Sequence, residues 1–136
     1  MGSRSRVLVA SQPAAWKRLQ LMLDPFVDTV IVHTIEDGLR TLKADEFHLI
    51  LSTVAFDESR MIDFLQAVKR NGSSSAIPFV CVRVLSTVLS DDFMERTRAV
   101  CEECGAAAFV DIAKLDQGKA QTVLKDLLIT HLPPNR

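Results

Sequence analysis

The side chains most able to do chemistry follow the ends of short apolar runs. Thr53 comes soon after Leu49-Ile50-Leu51, Arg83 follows Phe79-Val80-Cys81-Val82, and the acid Asp57 lies beyond Thr53. A hydroxyl without an adjacent base is a weak nucleophile, whereas a guanidinium can bind an anion or pair with a carboxylate. Because no Ser/His/Asp or Cys/His set is legible, we predict no catalytic residues, no metal site and no cofactor.

A second candidate for chemistry is the pair Cys101 and Cys104, which has the C-x-x-C spacing of redox dithiols. Such dithiols begin a helix, where the positive helix end lowers the pKa of a thiol. Here the pair ends a predicted helix and encloses Glu102 and Glu103, and both features disfavour a thiolate. We interpret the two cysteines as buried packing residues, with a redox role or a metal site as the alternatives.

Length and composition limit the classes of function. The chain has 136 residues, 48% of them hydrophobic, which predicts one domain with a sizeable core. A formal net charge of -1 gives no indication of binding to nucleic acid or to an anionic membrane. No apolar run approaches the ~20 residues of a membrane span, and the amino terminus lacks a signal-peptide core. The 3 cysteines favour a reducing compartment, so we expect a cytoplasmic protein.

Five apolar strands that alternate with five helices must position these side chains. The strand candidates are short runs rich in aliphatic residues: 6–10, 29–32, 48–51, 78–82 and 107–110. Helical spacing follows each strand, with Thr34 and Ser90 as predicted N-caps and with Asn71-Gly72 and Gly105 as predicted endings. Strands that are apolar on both faces predict a parallel sheet covered on both sides, which is a three-layer α/β/α sandwich. Ligands of such sheets bind beyond the carboxyl ends of the strands.

The domain is expected to cover residues 6–132. We expect residues 1–5 to be a disordered segment or an expression remnant, and residues 133–136 to be a frayed tail. The long apolar stretch 83–89 has two interpretations: an exposed contact surface, or an extension of strand four to Leu85. The pair Lys17-Arg18 is interpreted as ordinary solvated helix charge.

The spacing of these elements resembles CheY-like receiver domains of bacterial two-component signalling, over about Arg6 to Leu132. The best local matches are the stretch 47–69 and the run Cys-Gly-Ala-Ala-Ala-Phe-Val at 104–110, which is similar to the family's A-G-A-x-x-[YF]-[VIL] pattern. The resemblance implies the flavodoxin-like fold, with sheet order 2-1-3-4-5 and five helices.

The same resemblance implies a site that has lost its acids. Receivers hold Mg²⁺ with two acidic residues after strand one, and the matching positions here are Ala10 and Ser11. The phosphoryl-accepting Asp of the family matches Thr53. Mg²⁺ prefers oxygen ligands that include carboxylates, and these three side chains supply none. The resemblance therefore implies no activity by the family's mechanism.

Two further positions depart from the family, and one is retained. Arg83 stands where receivers have a Ser or Thr, and Ile112 stands where they have a Lys; Lys114 could replace that Lys only if the loop differs. Phe109 matches the aromatic that acts as a rotamer switch. Arg83 could fill the vacant pocket, bind an anion, pair with Asp57 or Asp111, or lie on the surface.

We interpret the chain as a receiver scaffold whose phosphorylation pocket is degenerate. Such a pseudo-receiver acts as a phosphorylation-independent protein-interaction module. The family implies contacts with a partner or with a second copy of the chain, as a homodimer, through helix 4, strand 5 and helix 5. An output domain absent from this sequence is a further expectation.

Two alternatives stay open. One is a conventional phosphorylated response regulator with a shifted acceptor, Asp57. The other is a small flavodoxin-like ligand-binding protein or enzyme, which the lack of a Gly-rich phosphate loop after strand one disfavours.

Overall fold

The structure is a computed structural model that describes residues 4–85 and 90–132. The predicted tail 133–136, residues 1–3 and the loop segment 86–89 lie outside the described residues. Arg4 and Ser5 are hydrogen-bonded to the chain that leads into the second strand: Arg4 donates to the carbonyl of Val27 at 2.8 Å, and the amide of Asp28 donates to the carbonyl of Ser5 at 3.0 Å.

A five-stranded parallel sheet forms the centre of the domain. Its strands are β1 (Arg6–Ala10), β2 (Asp28–Val32), β3 (Leu49–Thr53), β4 (Phe79–Arg83) and β5 (Ala108–Asp111). Their spatial order is β2-β1-β3-β4-β5, and every neighbouring pair is parallel. The predicted strands, their order and the three-layer α/β/α architecture are confirmed.

The helices cover both faces of the sheet. They are α1 (Pro13–Leu23), α2 (Ile35–Ala44), α3 (Phe56–Ser59), α4 (Met61–Arg70), α5 (Asp91–Glu103) and α6 (Gln117–His131). Side chains alternate along each strand, so that Val7 and Val9 pack in the layer with α1 and α6, whereas Leu8 and Ala10 pack in the layer with α4 and α5. Among the described residues, no helix combines the length and hydrophobicity that crossing a bilayer requires.

The short helix α3 is the element that the sequence did not predict. Asp57, Glu58 and Ser59 have φ values of 47°, 57° and 63°, so the chain makes a left-handed turn without glycine. Each such residue costs about 1 kcal/mol relative to ordinary backbone. The turn follows β3 directly and determines where Asp57 points.

The helix ends agree with the predictions except at α4. Thr34 accepts a hydrogen bond from the amide of Asp37, and Ser90 accepts one from the amide of Phe93, as expected of N-caps. Gly105 ends α5 with φ 99°, as predicted. The predicted left-handed ending at Asn71-Gly72 is wrong, because Asn71 is extended with φ -89°. The buried hydroxyl of Ser74 instead donates to the carbonyl of Val68, at 2.8 Å, and so satisfies the end of the helix.

Candidate functional site

Thr53 lies at the carboxyl end of the central strand and is only 1% exposed. Its hydroxyl donates to the side-chain oxygen of Gln12 at 2.8 Å and lies 3.4 Å from the carbonyl oxygen of Ala10. Gln12 was not among the predicted site residues. Its side chain reaches the site because it immediately precedes α1, at the same edge of the sheet. The hydroxyl that the sequence matches to the family's acceptor thus directs its proton to neutral oxygens.

Ala10 and Ser11 lie beside Thr53 and are both completely buried. The Ser11 hydroxyl donates to the carbonyl of Gln12 at 2.8 Å, and the Ser11 amide donates to the carbonyl of Val32 at 3.1 Å. The Ser11 carbonyl oxygen is 2.8 Å from Nδ1 of His33. The polar groups of this segment are therefore occupied by local hydrogen bonds.

Arg83 ends β4 and is 4% exposed, so its charge is almost entirely removed from water. It stands opposite Asp111 in the ladder between β4 and β5. One guanidinium nitrogen lies 3.0 Å from Oδ2 of Asp111 and 3.4 Å from Oδ1 of Asp91, at the start of α5. Among the possibilities predicted for Arg83, pairing with Asp111 is therefore confirmed.

Two further contacts extend this group of charges. Lys114 lies 2.9 and 3.1 Å from the two carboxylate oxygens of Asp91, and Asp111 accepts a hydrogen bond from the amide of Ala113 at 3.0 Å. Lys114, assisted by Arg83, holds the pKa of Asp91 below its usual value. The ammonium of Lys114 is directed to a carboxylate at the start of α5, and its side chain is 64% exposed.

Ile112 and Phe109 are packing residues on opposite faces of the sheet. Ile112 is fully buried in the layer with α1 and α6. Phe109 is 6% exposed and packs in the layer with α4 and α5. The guanidinium of Arg98 lies 5.0 Å from the centre of the Phe109 ring and also donates to the Phe109 carbonyl at 3.3 Å. The aromatic at the switch position is therefore turned inward and covered by a cation.

Asp57 is directed toward α2. One carboxylate oxygen accepts hydrogen bonds from the Ile35 amide at 2.9 Å and from Arg60 at 2.8 Å. The bond from the Ile35 amide, followed by the bond from Arg60, lowers the pKa of Asp57 below its ordinary value. The carboxylate therefore stabilises the positive end of α2.

Arg18 corrects a prediction, because it is not an ordinary solvated charge. Its guanidinium donates to the carbonyls of Val84, Ile112 and Leu115 at 2.9, 2.7 and 2.6 Å. These carbonyls belong to the segments after β4 and β5, so one side chain from α1 joins the two segments that border the site. No sequence motif indicates such a contact, because the carbonyls are distant along the chain.

A small cavity lies between Thr53 and Arg83. A cavity of about 10 Å³ is enclosed by Gln12, Thr53, Val54, Ala55, Arg83, Val84 and Leu85, which is room for about one water molecule. β4 ends at Arg83, so the predicted extension to Leu85 is wrong; Val84 nevertheless packs into the core.

The side chains at this edge do not fit the Mg²⁺ site that receivers have. Ala10 has no ligand atom, and the Ser11 hydroxyl and the Gln12 oxygen are already hydrogen-bonded. The carboxylates of Asp111 and Asp91 pair with Arg83. Mg²⁺ needs an octahedral shell of oxygens that usually includes carboxylates, and a buried guanidinium beside the cavity repels a cation.

The chain is similar to known proteins in its fold. No protein-family model matches the chain, and no curated protein is significantly similar to it. The phosphorylated cyanobacterial phytochrome response regulator RcpA superposes with a TM-score of 0.75 at 14% identity, over 97% of this chain and 100% of that one.

Two further solved structures are similar. The receiver domain of a signal transduction histidine kinase from Syntrophus aciditrophicus has a TM-score of 0.68 at 21% identity, over 93% of this chain and 91% of that one. The response regulator receiver domain protein (CheY-like) from Methanospirillum hungatei also has a TM-score of 0.68, at 15% identity, over 95% of this chain and 97% of that one. The chain therefore has the CheY-like, flavodoxin-like fold.

Proposed function

We propose that the chain is a pseudo-receiver: a signalling module on the receiver scaffold that acts by binding a protein partner and does not accept a phosphoryl group. The observation that supports this most directly is the environment of Thr53. The hydroxyl is 1% exposed and is hydrogen-bonded to Gln12, at the position where the family has its acceptor Asp. A threonine hydroxyl needs an adjacent base for activation, and the side chain that it contacts, the Gln12 amide, is not a base.

The buried guanidinium of Arg83 supports the same proposal. In receivers, negative charge at this edge is introduced by phosphorylation. Here Arg83 is compensated within the chain by Asp111 and Asp91, at 3.0 and 3.4 Å. These ion pairs balance the charge of Arg83 without a phosphoryl group, as expected of a site that has one fixed conformation.

The alternative acceptor, Asp57, is not favoured. Oδ2 of Asp57 accepts hydrogen bonds from the Ile35 amide and from Arg60, which hold the carboxylate toward α2. Asp57 is not among the residues that line the cavity beside Thr53 and Arg83. The turn 57–59 holds Asp57 in this orientation.

The partner surface that we propose is the face formed by α5, β5 and α6, which corresponds to helix 4, strand 5 and helix 5 of the sequence prediction. Phe93 and Val100 lie seven positions apart on α5, which places them on one side of the helix. They are 45% and 38% exposed, although both are large apolar side chains. Exposed apolar side chains on one helix face are typical of protein contacts.

Beryllofluoride with Mg²⁺, which mimics a bound phosphoryl group, tests the absence of phosphorylation. We expect the backbone amide signals of Thr53, Ala55 and Asp57 in nuclear magnetic resonance to be unchanged from those in Mg²⁺ or fluoride alone. A saturable shift of these signals that needs both beryllofluoride and Mg²⁺ would contradict the proposal.

The partner face is tested by substitution. Phe93→Glu should reduce by at least tenfold the recovery of proteins that co-purify with the chain from its native cell, and should also reduce any self-association seen by sedimentation. Leu21→Glu is the matched control, because Leu21 is 69% exposed on α1, outside the proposed face. The opposite pattern, with Leu21→Glu deficient and Phe93→Glu normal, would assign the contact to α1.

A further inference from the structure

Three cysteines meet where the end of α5 packs on β4. Cys81 and Cys101 are completely buried in the same core layer, and Cys104 is partly buried at its edge. The side chain of Gln66, from α4, approaches Cys104 Sγ at 3.8 Å on an exposed side of this junction. In the C-x-x-C pair, the Cys101 sulfur is therefore buried and the Cys104 sulfur is partly exposed to solvent. The third sulfur, that of Cys81, lies in the core.

The two buried sulfurs differ in their position relative to Cys104. The contact between the Cys81 and Cys101 thiols, followed by burial, raises the pKa of Cys81. Cys101, and not Cys81, lies on the same helix as Cys104 and three residues before it, so Cys101 is the sulfur that the helix places beside Cys104.

Two backbone hydrogen bonds close the last turn of α5, which carries both Cys101 and Cys104. The amide of Ala106 donates to the carbonyl of Cys101 at 3.0 Å, and the amide of Gly105 donates to the carbonyl of Glu102 at 3.1 Å. This is a Schellman ending, in which Gly105 has the left-handed φ of 99°. Residues three apart on a helix have Cβ atoms about 5–6 Å apart, and a disulfide needs about 4 Å. Closing the pair therefore requires a small change confined to the last turn.

We propose that Cys104 and Cys101 are a peroxide-reactive dithiol, in which Cys104 reacts first and Cys101 closes the disulfide. Hydrogen peroxide transfers one oxygen to the Cys104 thiolate, giving a sulfenic acid and hydroxide. The Cys101 thiolate then attacks the Cys104 sulfur, forming the S–S bond and releasing a second hydroxide. With the two thiol protons counted, two thiols and one peroxide give one disulfide and two waters.

The reaction is slow by the standard of dedicated peroxide sensors. Cys104 is the C-cap of α5 and follows Glu102 and Glu103, so it lies outside the electropositive surroundings in which dedicated reactive cysteines are found. The disulfide is consequently a product of peroxide excess. It would change the last turn of α5, next to the segment that leads into β5, and it does not depend on the proposed partner binding.

Peptide mapping after peroxide treatment tests the proposal, because trypsin separates the cysteines. Cleavage after Arg98 and Lys114 gives a peptide of residues 99–114 that contains Cys101 and Cys104, and cleavage after Arg70 and Arg83 gives one of residues 71–83 that contains Cys81. After peroxide and then alkylation under denaturing conditions, we expect peptide 99–114 to be two hydrogens lighter and unalkylated, while peptide 71–83 is alkylated. Dithiothreitol should restore alkylation of peptide 99–114.

Three serine variants assign the roles. In Cys101→Ser, Cys104 should proceed to sulfinic acid, which dithiothreitol does not reverse. In Cys104→Ser, peroxide consumption should fall to the background of the two buried thiols. Cys81→Ser should still form the disulfide. Alkylation of both cysteines in peptide 99–114 after peroxide, or a disulfide-linked dimer of the two peptides through Cys81, would overturn the proposal.

Discussion

The two halves of the sheet's carboxyl edge are built from opposite kinds of chemistry. The neutral half consists of Ala10, Ser11, Gln12 and Thr53, after β1 and β3, and it is joined by hydrogen bonds between uncharged groups. The charged half consists of Arg83, Asp91, Asp111 and Lys114, after β4 and β5, and it is joined by ion pairs. A cavity of about 10 Å³, whose lining includes Gln12, Thr53 and Arg83, lies between the two halves.

The difference shows two ways in which one edge of a sheet can satisfy its buried polar groups. Buried polar groups are costly unless they are paired. Within the described residues, every buried side-chain nitrogen and oxygen has a hydrogen-bond partner. The neutral half meets this requirement without charge, whereas the charged half meets it by balancing a buried cation with carboxylates. Across the part of the chain that the structure describes, both halves thus pair their buried polar side chains without an ion or a phosphoryl group.

The largest effect is expected from removing the charge of Asp111. Asp111→Asn preserves the side-chain shape, but its single amide oxygen can accept from the Ala113 amide or from Arg83 and not from both, so the buried guanidinium loses a carboxylate partner. We expect a loss of about 3 kcal/mol in the free energy of unfolding, measured in urea. Asp91→Asn is the control and should cost much less than Asp111→Asn, because Asp91 is 71% exposed. Equal losses for the two variants would mean that burial does not distinguish these pairs.

The second prediction concerns Arg18, which joins the segments of the charged half to α1. Arg18→Met keeps much of the apolar stem and removes the donors to three carbonyls. We expect a loss of about 2 kcal/mol in the free energy of unfolding, and Arg18→Lys should recover only part of it because an ammonium lacks the guanidinium fork. Lys17→Met, at the exposed neighbouring position, should change stability by less than about 0.5 kcal/mol. Full recovery by Arg18→Lys would contradict this geometry.

A smaller effect is expected in the neutral half. Thr53→Val has nearly the same shape and removes the donor to Gln12, at a cost of about 1 kcal/mol in the free energy of unfolding. Gln12→Leu combined with Thr53→Val should cost less than the sum of the single changes, because the two residues share one interaction. Additive costs in this double-mutant cycle would show that the Thr53–Gln12 bond does not stabilise the fold.

The fold was predictable to a larger extent than the contacts of the site. Short aliphatic runs fixed the strands, and Thr34, Ser90 and Gly105 marked helix ends because their side chains, or the lack of one, have local consequences. Arg18 and Gln12 were missed because their partners are set by tertiary structure. Long flexible side chains of this kind leave no spacing in the sequence that would reveal where they point.

The turn after β3 was missed for a different reason. Left-handed φ values at three consecutive residues normally require glycine or asparagine, and the sequence there is Asp57-Glu58-Ser59. Nothing local predicts this conformation, so its explanation lies in contacts with α2. The orientation of Asp57, and with it the interpretation of Asp57 as an acceptor, could therefore not be decided from the sequence.

The smallest effect concerns Asp57, which follows β3 and accepts a hydrogen bond from the first residue of α2. Its pKa is lowered from 3.8 by the bond from the Ile35 amide and then by Arg60, so the ionised form stabilises the folded state. That stabilisation is fully present above pH 3.8 and is lost as the pH falls through the folded pKa below it. Asp57→Asn, which tolerates the left-handed φ, should cost at most about 1 kcal/mol near neutral pH.

The test is the stability gap between Asp57→Asn and the unsubstituted chain, followed by urea unfolding from about neutral pH to below the ordinary Asp range. The gap should be constant above pH 3.8 and should shrink below it. Asp126→Asn, at an exposed position on α6, should show no gap in the same series. A gap for Asp57→Asn that persists unchanged in acid would mean that the variant alters the strained turn 57–59, and that the carboxylate does not stabilise the start of α2 by its charge.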